Sequence, residues 1–357
     1  MMKENHSIRK GAFNMISSFL LWQADETYFN YRIPGMILTS KGTLLVYCEA
    51  RREESDWAKM DILLQRSQDQ GKSFSAPISL ACGTDAHKTV NNPVMVQDQN
   101  GRIHFLYCED YGINQGRILH RYSDDDACTW SEPDDITYAT LPTYRNVFAI
   151  GPGHGICTKD GTLVFPVWMV PKSYQALPQS HKPSVISTLY SKDCGKTWQC
   201  GEILGTTPQN ISPNETTLAP LEDGSVYLNC RLQITGYRGR AYSPNGYSDW
   251  RDYEPDYELI DPACFGSAVA IHPPHQPYTL LFGNCESKTH RKNVTVKASV
   301  DGGKSWSKKL VIDTERGGYV ELAADRDTGL VYVLYEEDFG TKVHLSVFPI
   351  EQLTERI

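Results

Sequence analysis

Six short stretches of this chain put charged or nucleophilic side chains beside apolar, strand-like runs. Tyr31-Arg32-Ile33-Pro34 sets an arginine in an otherwise apolar strand start. Glu49-Ala50-Arg51-Arg52-Glu53-Glu54-Ser55-Asp56-Trp57 follows an apolar run with a charged loop. Asn214-Glu215 precedes a run ending in Asn229-Cys230-Arg231, and His290-Arg291 precedes the run 294–298. Gly317-Gly318-Tyr319 and Leu334-Tyr335-Glu336 come late in the chain. Guanidinium groups suit planar anions such as a carboxylate, which they bind bidentately. Carboxylates suit proton transfer. A phenol becomes a nucleophile only beside a base, because its unperturbed pKa is about 10. Taken singly, each arginine would read as an ordinary ion pair, Asp56 as a solvated loop carboxylate and Tyr319 as core. Only a fold that gathers distant loops at one place makes chemistry of them.

A recurring turn supplies such a fold. Ser67-Gln-Asp69-Gln-Gly71-Lys-Ser73-Phe74, Ser123-Asp-Asp125-Asp-Ala127-Cys-Thr129-Trp130, Ser191-Lys-Asp193-Cys-Gly195-Lys-Thr197-Trp198 and Ser299-Val-Asp301-Gly-Gly303-Lys-Ser305-Trp306 share Ser-x-Asp-x-Gly-x-Ser/Thr-aromatic. A degraded fifth copy is Ser243-Pro-Asn245-Gly-Tyr247-Ser-Asp249-Trp250. Successive serines are 56, 68, 52 and 56 residues apart. In each copy the Asp can close a tight hairpin onto backbone N–H groups. The Gly takes a positive φ that other side chains resist, so Ala127 at that place must relax the turn or carry strain. The aromatic ring is expected to bury against the next unit. A residue repeated in every unit cannot sit at one shared site, so these aspartates are structural.

Between the turns the chain reads as short β-rich runs after Asp/Lys-Gly signals: 43–49, 161–167, 224–231, 277–283 and 329–336. Helical periodicity is absent. Repeated units of this length predict an all-β, six-bladed β-propeller occupying residues 1–357 as a single domain.

The chain has 357 residues, 40% apolar, and a net charge of −8 spread without long runs. That argues against nucleic acid or an anionic membrane as partner, and no segment reaches membrane-spanning length. Residues 12–22, behind Lys3, Arg9 and Lys10, faintly resemble an export signal, yet no small-x-small cleavage site follows, so a first strand is expected there. None of the ten cysteines forms a Cys-x-x-Cys pair or groups with His at metal spacing. Cys48, Cys108, Cys157 and Cys230 lie in apolar runs, where free thiols belong. Sequons fall at Asn210, Asn214 and Asn293, and a glycan on Asn214 would obstruct the site proposed below. A reducing, cytoplasmic setting is expected.

Taken together, the Tyr-Arg-Ile-Pro motif, the Asp boxes, Gly151-Pro152-Gly153-His154-Gly155 and the late Leu-Tyr-Glu resemble the exo-sialidases, or neuraminidases, over nearly the whole chain. The gaps also look like that family's: five from Arg51 to Asp56, sixteen from Glu215 to Arg231, eight from Arg291 to Ser299. The resemblance implies that Arg32, Arg231 and Arg291 bind the sugar's carboxylate, with Glu336 as partner of the first. It implies Asp56 as general acid, then base, and Arg51 as the substrate-contacting arginine of its loop, Arg52 being adjacent. Tyr319 would be the nucleophile and Glu215 the base that polarises it. A neutral phenol avoids the repulsion a carboxylate nucleophile would meet beside the anomeric carboxylate, and sialidases are the known glycosidase exception with a Tyr nucleophile. Release of terminal α-linked sialic acid with retention follows, from sialylated oligosaccharides or glycoconjugates, with no metal or cofactor. His154 would sit in a turn beside the pocket. Cys108-Glu109-Asp110-Tyr111 and Tyr237-Arg238-Gly239-Arg240 are candidate rim loops. With no appended carbohydrate-binding domain expected, small soluble sialosides would be preferred. Three alternatives stay open: a related 2-keto acid sugar (KDN or Kdo) as substrate, a trans-sialidase or intramolecular variant with the same residues, and a non-catalytic glycan-binding propeller.

Overall fold

The computed structural model describes residues 16–110, 112, 114–173, 181–209, 212–233, 235–274 and 276–354. Asn210 and Tyr111 lie outside the described residues, as do residues 12–15 of the signal-like stretch. The strands form six antiparallel sheets. Blade 1 comprises Asn30–Leu38, Leu44–Arg51, Met60–Ser67 and Ile78–Cys82. Blade 2 comprises Val90–Gln97, Ile103–Glu109, Arg117–Ser123 and Asp134–Asp135. Blade 3 is built on Phe148–Ile150, Leu163–Met169, Val185–Ser191 and Gln199–Cys200, with Ile156–Cys157 paired to its second strand. Blade 4 holds Thr216–Pro220, Val226–Arg231, Tyr237–Ser243 and Arg251–Ile260. Blade 5 holds Ser267–Ile271, Thr279–Cys285, Val294–Ser299 and Lys308–Asp313.

Blade 6 closes the ring. Its inner strands are Val320–Ala324, Leu330–Glu337 and Lys342–Pro349, and its outer strand is the N-terminal Ser17–Gln23. Ser17 pairs with Val347 and Gln23 with Lys342, so both ends of the described chain share one sheet. The strand expected in the signal-like stretch is therefore present over its described part. Each blade's first strand remains a sheet edge, shielded by the neighbouring blades around the ring.

Inner strands are apolar on both faces because each blade is covered by two neighbours. All eight residues of Leu44–Arg51 are buried. Tyr47, Met60 and Ile62 of blade 1 belong to one core cluster with Met95 and Phe105 of blade 2. Among the described residues no helix is long and apolar enough to cross a membrane.

The recurring turns join the third and fourth strands of blades 1 to 5. In the first, the Asp69 carboxylate accepts from the Ser73 amide at 2.9 Å, the Ser73 hydroxyl at 2.6 Å and the Ser67 hydroxyl at 2.8 Å. The Gly71 amide donates to the Ser67 hydroxyl oxygen at 2.9 Å. The Asp125, Asp193 and Asp301 turns repeat this pattern. Ala127 keeps the turn by accepting φ 65° while fully buried. The fifth copy closes one residue earlier, because Gly246 rather than Tyr247 bonds Ser243 and takes the positive φ. In two blades the ring faces the preceding unit, not the next one. Trp198 of blade 3 packs edge-on against His120 of blade 2, and Trp306 of blade 5 against Tyr227 of blade 4.

Antiparallel alternation then decides which loops meet. Where a blade's first strand begins, its second ends and its third begins. Arg32 lies near a first-strand start, and Arg51, Arg231 and Glu336 lie at or near second-strand ends. Glu215 and Tyr319 immediately precede first strands, and Arg291 precedes a third strand. All therefore belong to one end of the propeller, while the Asp-box turns occupy the other.

Candidate active site

At that end lies a cavity of about 350 Å³, within the range of small-molecule sites. Its wall includes Arg32, Arg51, Asp56, Glu215, Arg231, Arg291 and Tyr319. Seven of the eight residues singled out in the sequence thus line one space. The eighth, Glu336, sits just behind it, fully buried.

Glu336 ties two blades together. Its Oε1 accepts from Arg32 Nε at 2.8 Å and from the Ile33 amide at 2.9 Å, and its Oε2 accepts from the Tyr319 amide at 3.1 Å. Pro34 interrupts the ladder here, with a register shift between Arg32 and Gly35 and a φ of 55° at Ile33. That bulge turns the Ile33 amide toward Glu336. Gly318 makes the approach possible: a Cβ there would stand 2.6 Å from that of Glu336. Burial works against the Arg32 charge, but Glu336 outweighs it and holds the guanidinium firmly protonated.

Arg51 resolves its ambiguity with Arg52. Arg51 Nε and Nη2 donate to Glu49 Oε2 at 2.8 and 2.6 Å, and Nη1 to Asp56 Oδ1 at 2.6 Å. Arg52 instead turns outward, pairing with Asp61 at 2.8 Å and covering the Tyr28 ring. Alternation along the strand explains the split, since Glu49 and Arg51 share one face and Arg52 starts the loop. Burial would raise the Asp56 pKa, yet Arg51, with Arg32 and His181 behind it, holds this half-exposed carboxyl below its ordinary value.

The Tyr319 hydroxyl, almost fully buried, donates to Glu215 Oε1. Glu215 Oε2 accepts from Arg231 Nη1 at 2.9 Å. Burial and the Glu215 charge push the phenol well above its ordinary value. For Glu215, burial is outweighed by Arg231 and by the Tyr319 hydroxyl, so the carboxyl sits below its usual range. The proton therefore rests on the phenol, with an ionised acceptor already in contact. Arg32 and Arg291 stand over the ring at 5.1 and 5.5 Å from its centroid. Four arginines, a half-exposed carboxyl and a phenol–carboxylate pair around one cavity can hold an anion and move protons on two sides of it.

Residues 79–333 match the family described as BNR repeat-like domain. The chain belongs to this family. Its BNR repeats are the Asp-box turns described above. The chain is 28% identical to a sialidase of Bacteroides fragilis across 87% of its own length and 61% of that protein's. It is 24% identical to sialidase-3 of Rattus norvegicus across 90% of each. It thus spans about three fifths of the bacterial relative and nearly all of the rat one. Among solved structures, the Hadza microbial sialidase Hz136 superposes with a TM-score of 0.79 at 24% identity, over 92% of this chain and 67% of that one. An intramolecular trans-sialidase from Ruminococcus gnavus gives 0.78 at 15%, over 94% and 97%. The curated relatives over most of this chain's length are thus sialidases, and the solved sialidases share its fold.

This BNR-repeat propeller departs from its sequence-based expectations at three places. His154 is not beside the cavity. It is buried near the propeller axis, its Nδ1 hydrogen-bonded to Glu321 Oε1, because the Gly151–Gly155 turn folds inward. Tyr237–Ser243 is a strand, not a rim loop: Arg238 is fully buried against Asn229 and the Cys264 carbonyl, and Arg240 pairs with Glu254. Glu109 ends a strand and pairs with Arg117, while Asp110 pairs with His87. This strand end lies at the cavity's end of the propeller, but neither Glu109 nor Asp110 lines the cavity. Asn214 is buried, with its amide on Ser184 Oγ at 3.1 Å, so this sequon presents no accessible side chain.

Several cavity residues escaped sequence reasoning: Asn91, Asn92, Trp168, His181, Gln233 and Phe339. Glu49 was also missed as the buried acceptor for Arg51, although its i, i+2 spacing from Arg51 was a readable sign.

Proposed function

We propose that this chain is a retaining exo-α-sialidase, in which Tyr319 is the nucleophile, Glu215 its base and Asp56 the acid. The reading is carried by one observation: the Tyr319 hydroxyl bonded to Glu215 at the floor of a cavity ringed by Arg32, Arg231 and Arg291. A non-catalytic glycan binder has no use for a buried phenol–carboxylate pair beneath a cationic ring.

The sugar's carboxylate seats against the three arginines, which are already charged and pre-oriented. Tyr319 Oη attacks the anomeric carbon as its proton passes to Glu215. Asp56 donates a proton to the glycosidic oxygen, and the aglycone leaves as an alcohol. Water then attacks the same carbon from the vacated side, giving a proton to Asp56. The Tyr319 oxygen departs and recovers its proton from Glu215. Two displacements restore the starting configuration.

The field of Arg51 and Arg32 favours an ionised Asp56, the wrong form for an acid. A bound carboxylate cancels part of the cationic field of Arg32 and Arg51, which raises the Asp56 pKa and readies it to donate. Arg51 acts chiefly as the anchor of Asp56, since its guanidinium is committed to Glu49 and Asp56.

A fluorogenic N-acetylneuraminic acid substrate tests the activity. Proton NMR of the first product tests retention, the α-anomer appearing before mutarotation. Tyr319→Phe is expected to cut turnover about 10³-fold or more while the fold persists. Near-normal hydrolysis by that variant removes Tyr319 from the role. Parallel substrates lacking the C5 acetamide separate sialic acid from KDN or Kdo, and a 2,7-anhydro product would mark intramolecular transfer.

A further inference from the structure

The proposed acid sits on a loop closed at its base by the Arg52 amide on the Lys59 carbonyl. Asp56 is half exposed and bonded to Arg51, and the neighbouring turn holds by the Ala58 amide on the Ser55 carbonyl and the Trp57 amide on the Ser55 hydroxyl. The next residue reaches much farther. Trp57 packs onto the core shared by blades 2, 3 and 4. There the His181 ring stacks on it with centroids 5.2 Å apart and planes 24° apart. The same imidazole meets Trp168 edge-on at 5.4 Å and 63°. Trp168 is almost fully buried within the blade 3 strand Leu163–Met169, and it and His181 line the cavity beside Asp56. A row of three rings thus runs from the rigid blade 3 sheet to the residue adjoining the acid.

We propose that His181 is a positioning residue for the acid: clamped between Trp168 and Trp57, it fixes the loop so that Asp56 faces the glycosidic oxygen. The inference rests on the sialidase reading. Its physical reason lies in the change of charge during the reaction. The Arg51 bond holds Asp56 strongly only as a carboxylate, and a neutral carboxyl keeps a weaker hold. A donor must be neutral at the moment it acts. Ring stacking is insensitive to that charge, so the clamp orients Asp56 in both protonation states. Burial pushes the His181 pKa down, so near neutral pH the stack involves an uncharged ring.

The test exploits how much a leaving group needs acid. An aryl sialoside expels a stabilised phenolate with little protonation, whereas sialyllactose expels a sugar alkoxide that must be protonated. Two ring contacts of this kind hold an orientation by roughly five- to hundredfold. His181→Ala is therefore expected to lower kcat/KM on sialyllactose by about that factor, and on 4-methylumbelliferyl sialoside by about threefold or less. His181→Phe, which keeps a ring in the slot, should recover most of the loss. Trp57→Ala removes the other end of the stack from a half-buried position and should reproduce the asymmetry, which guards against a His181→Ala protein that does not fold. Equal losses on both substrates, or a phenylalanine variant no better than alanine, overturn the clamp. Wild-type protein inert on both substrates would instead overturn the sialidase reading itself.

Discussion

Replacing Glu336 by glutamine is expected to weaken both the fold and the catalyst, by amounts that follow from counting donors. The carboxylate is fully buried and accepts three bonds, two on Oε1 and one on Oε2. An amide of the same shape has one acceptor. With its oxygen at the Oε1 place, Arg32 Nε and the Ile33 amide remain satisfied, but the NH₂ group faces the Tyr319 amide, donor against donor. The opposite orientation opposes two donors and is worse. One buried unsatisfied N–H costs about 1–3 kcal/mol, and the bond to Arg32 loses about 1 kcal/mol with its charge assistance. The sum is about 2–4 kcal/mol. For a chain of 357 residues the unfolding entropy is about 0.75 kcal/mol/K, so the melting temperature should fall by about 3–5 °C. The displaced groups are the backbone of the proposed nucleophile, Tyr319, and Arg32, one of the three arginines proposed to seat the carboxylate. Misplacement on the ångström scale costs about 10²-fold in kcat/KM. Calorimetry with sialoside kinetics checks both numbers. Glu337→Gln is the control: this neighbour points the other way, pairing with Arg316 at 3.0 Å and Lys342 at 3.3 Å. It should lower the melting temperature while leaving kcat/KM within about threefold. A Glu336→Gln protein with wild-type melting and turnover would refute the reasoning.

Further outcomes follow from the same geometry. Arg51→Lys cannot hold Glu49 and Asp56 together and should lose about 10²-fold in kcat/KM. Arg52→Ala gives up a half-exposed pair and should stay within about threefold; the reverse ranking would mean the loop is misassigned. For pH, the Asp56 pKa is depressed in the free enzyme and rises when a carboxylate binds, so the alkaline limb of kcat should lie above that of kcat/KM. Since Glu215 is held below its ordinary 4.5, the acid limb of kcat/KM should also lie below that value; coincident alkaline limbs, or an acid limb above it, would count against these roles. The Asp-box carboxyls Asp69, Asp125, Asp193 and Asp301 are each lowered from 3.8 to about 2. A lowered folded-state pKa stabilises above the unfolded value and is lost as pH falls through the folded one. Urea midpoints should thus decline between pH 4 and pH 2 (about the span set by those shifts). Asp193→Asn should flatten part of that decline, and an unchanged slope would show that its box contributes nothing.

What the sequence determined by itself was whatever depends on neighbours in the chain. Asp-box chemistry acts within eight residues, so it marked five blades and their spacing directly. The resemblance to sialidases brought together Arg32, Arg51, Asp56, Glu215, Arg231, Arg291 and Tyr319, which do line one cavity. What only the tertiary structure decided was which distant groups touch. Tyr319 meets Glu215 across 104 residues and Arg32 meets Glu336 across 304, the latter because the first strand of blade 1 packs against blade 6. The same dependence explains the misreadings. His154 is drawn to Glu321 on the axis, and Arg238 is swallowed by a core whose walls come from other parts of the chain. His181 bears on Asp56 through Trp57, a contact between loops of non-adjacent blades that no local pattern encodes. A side chain's environment is set by the surfaces folded against it, and in a ring of blades those surfaces come from far along the sequence.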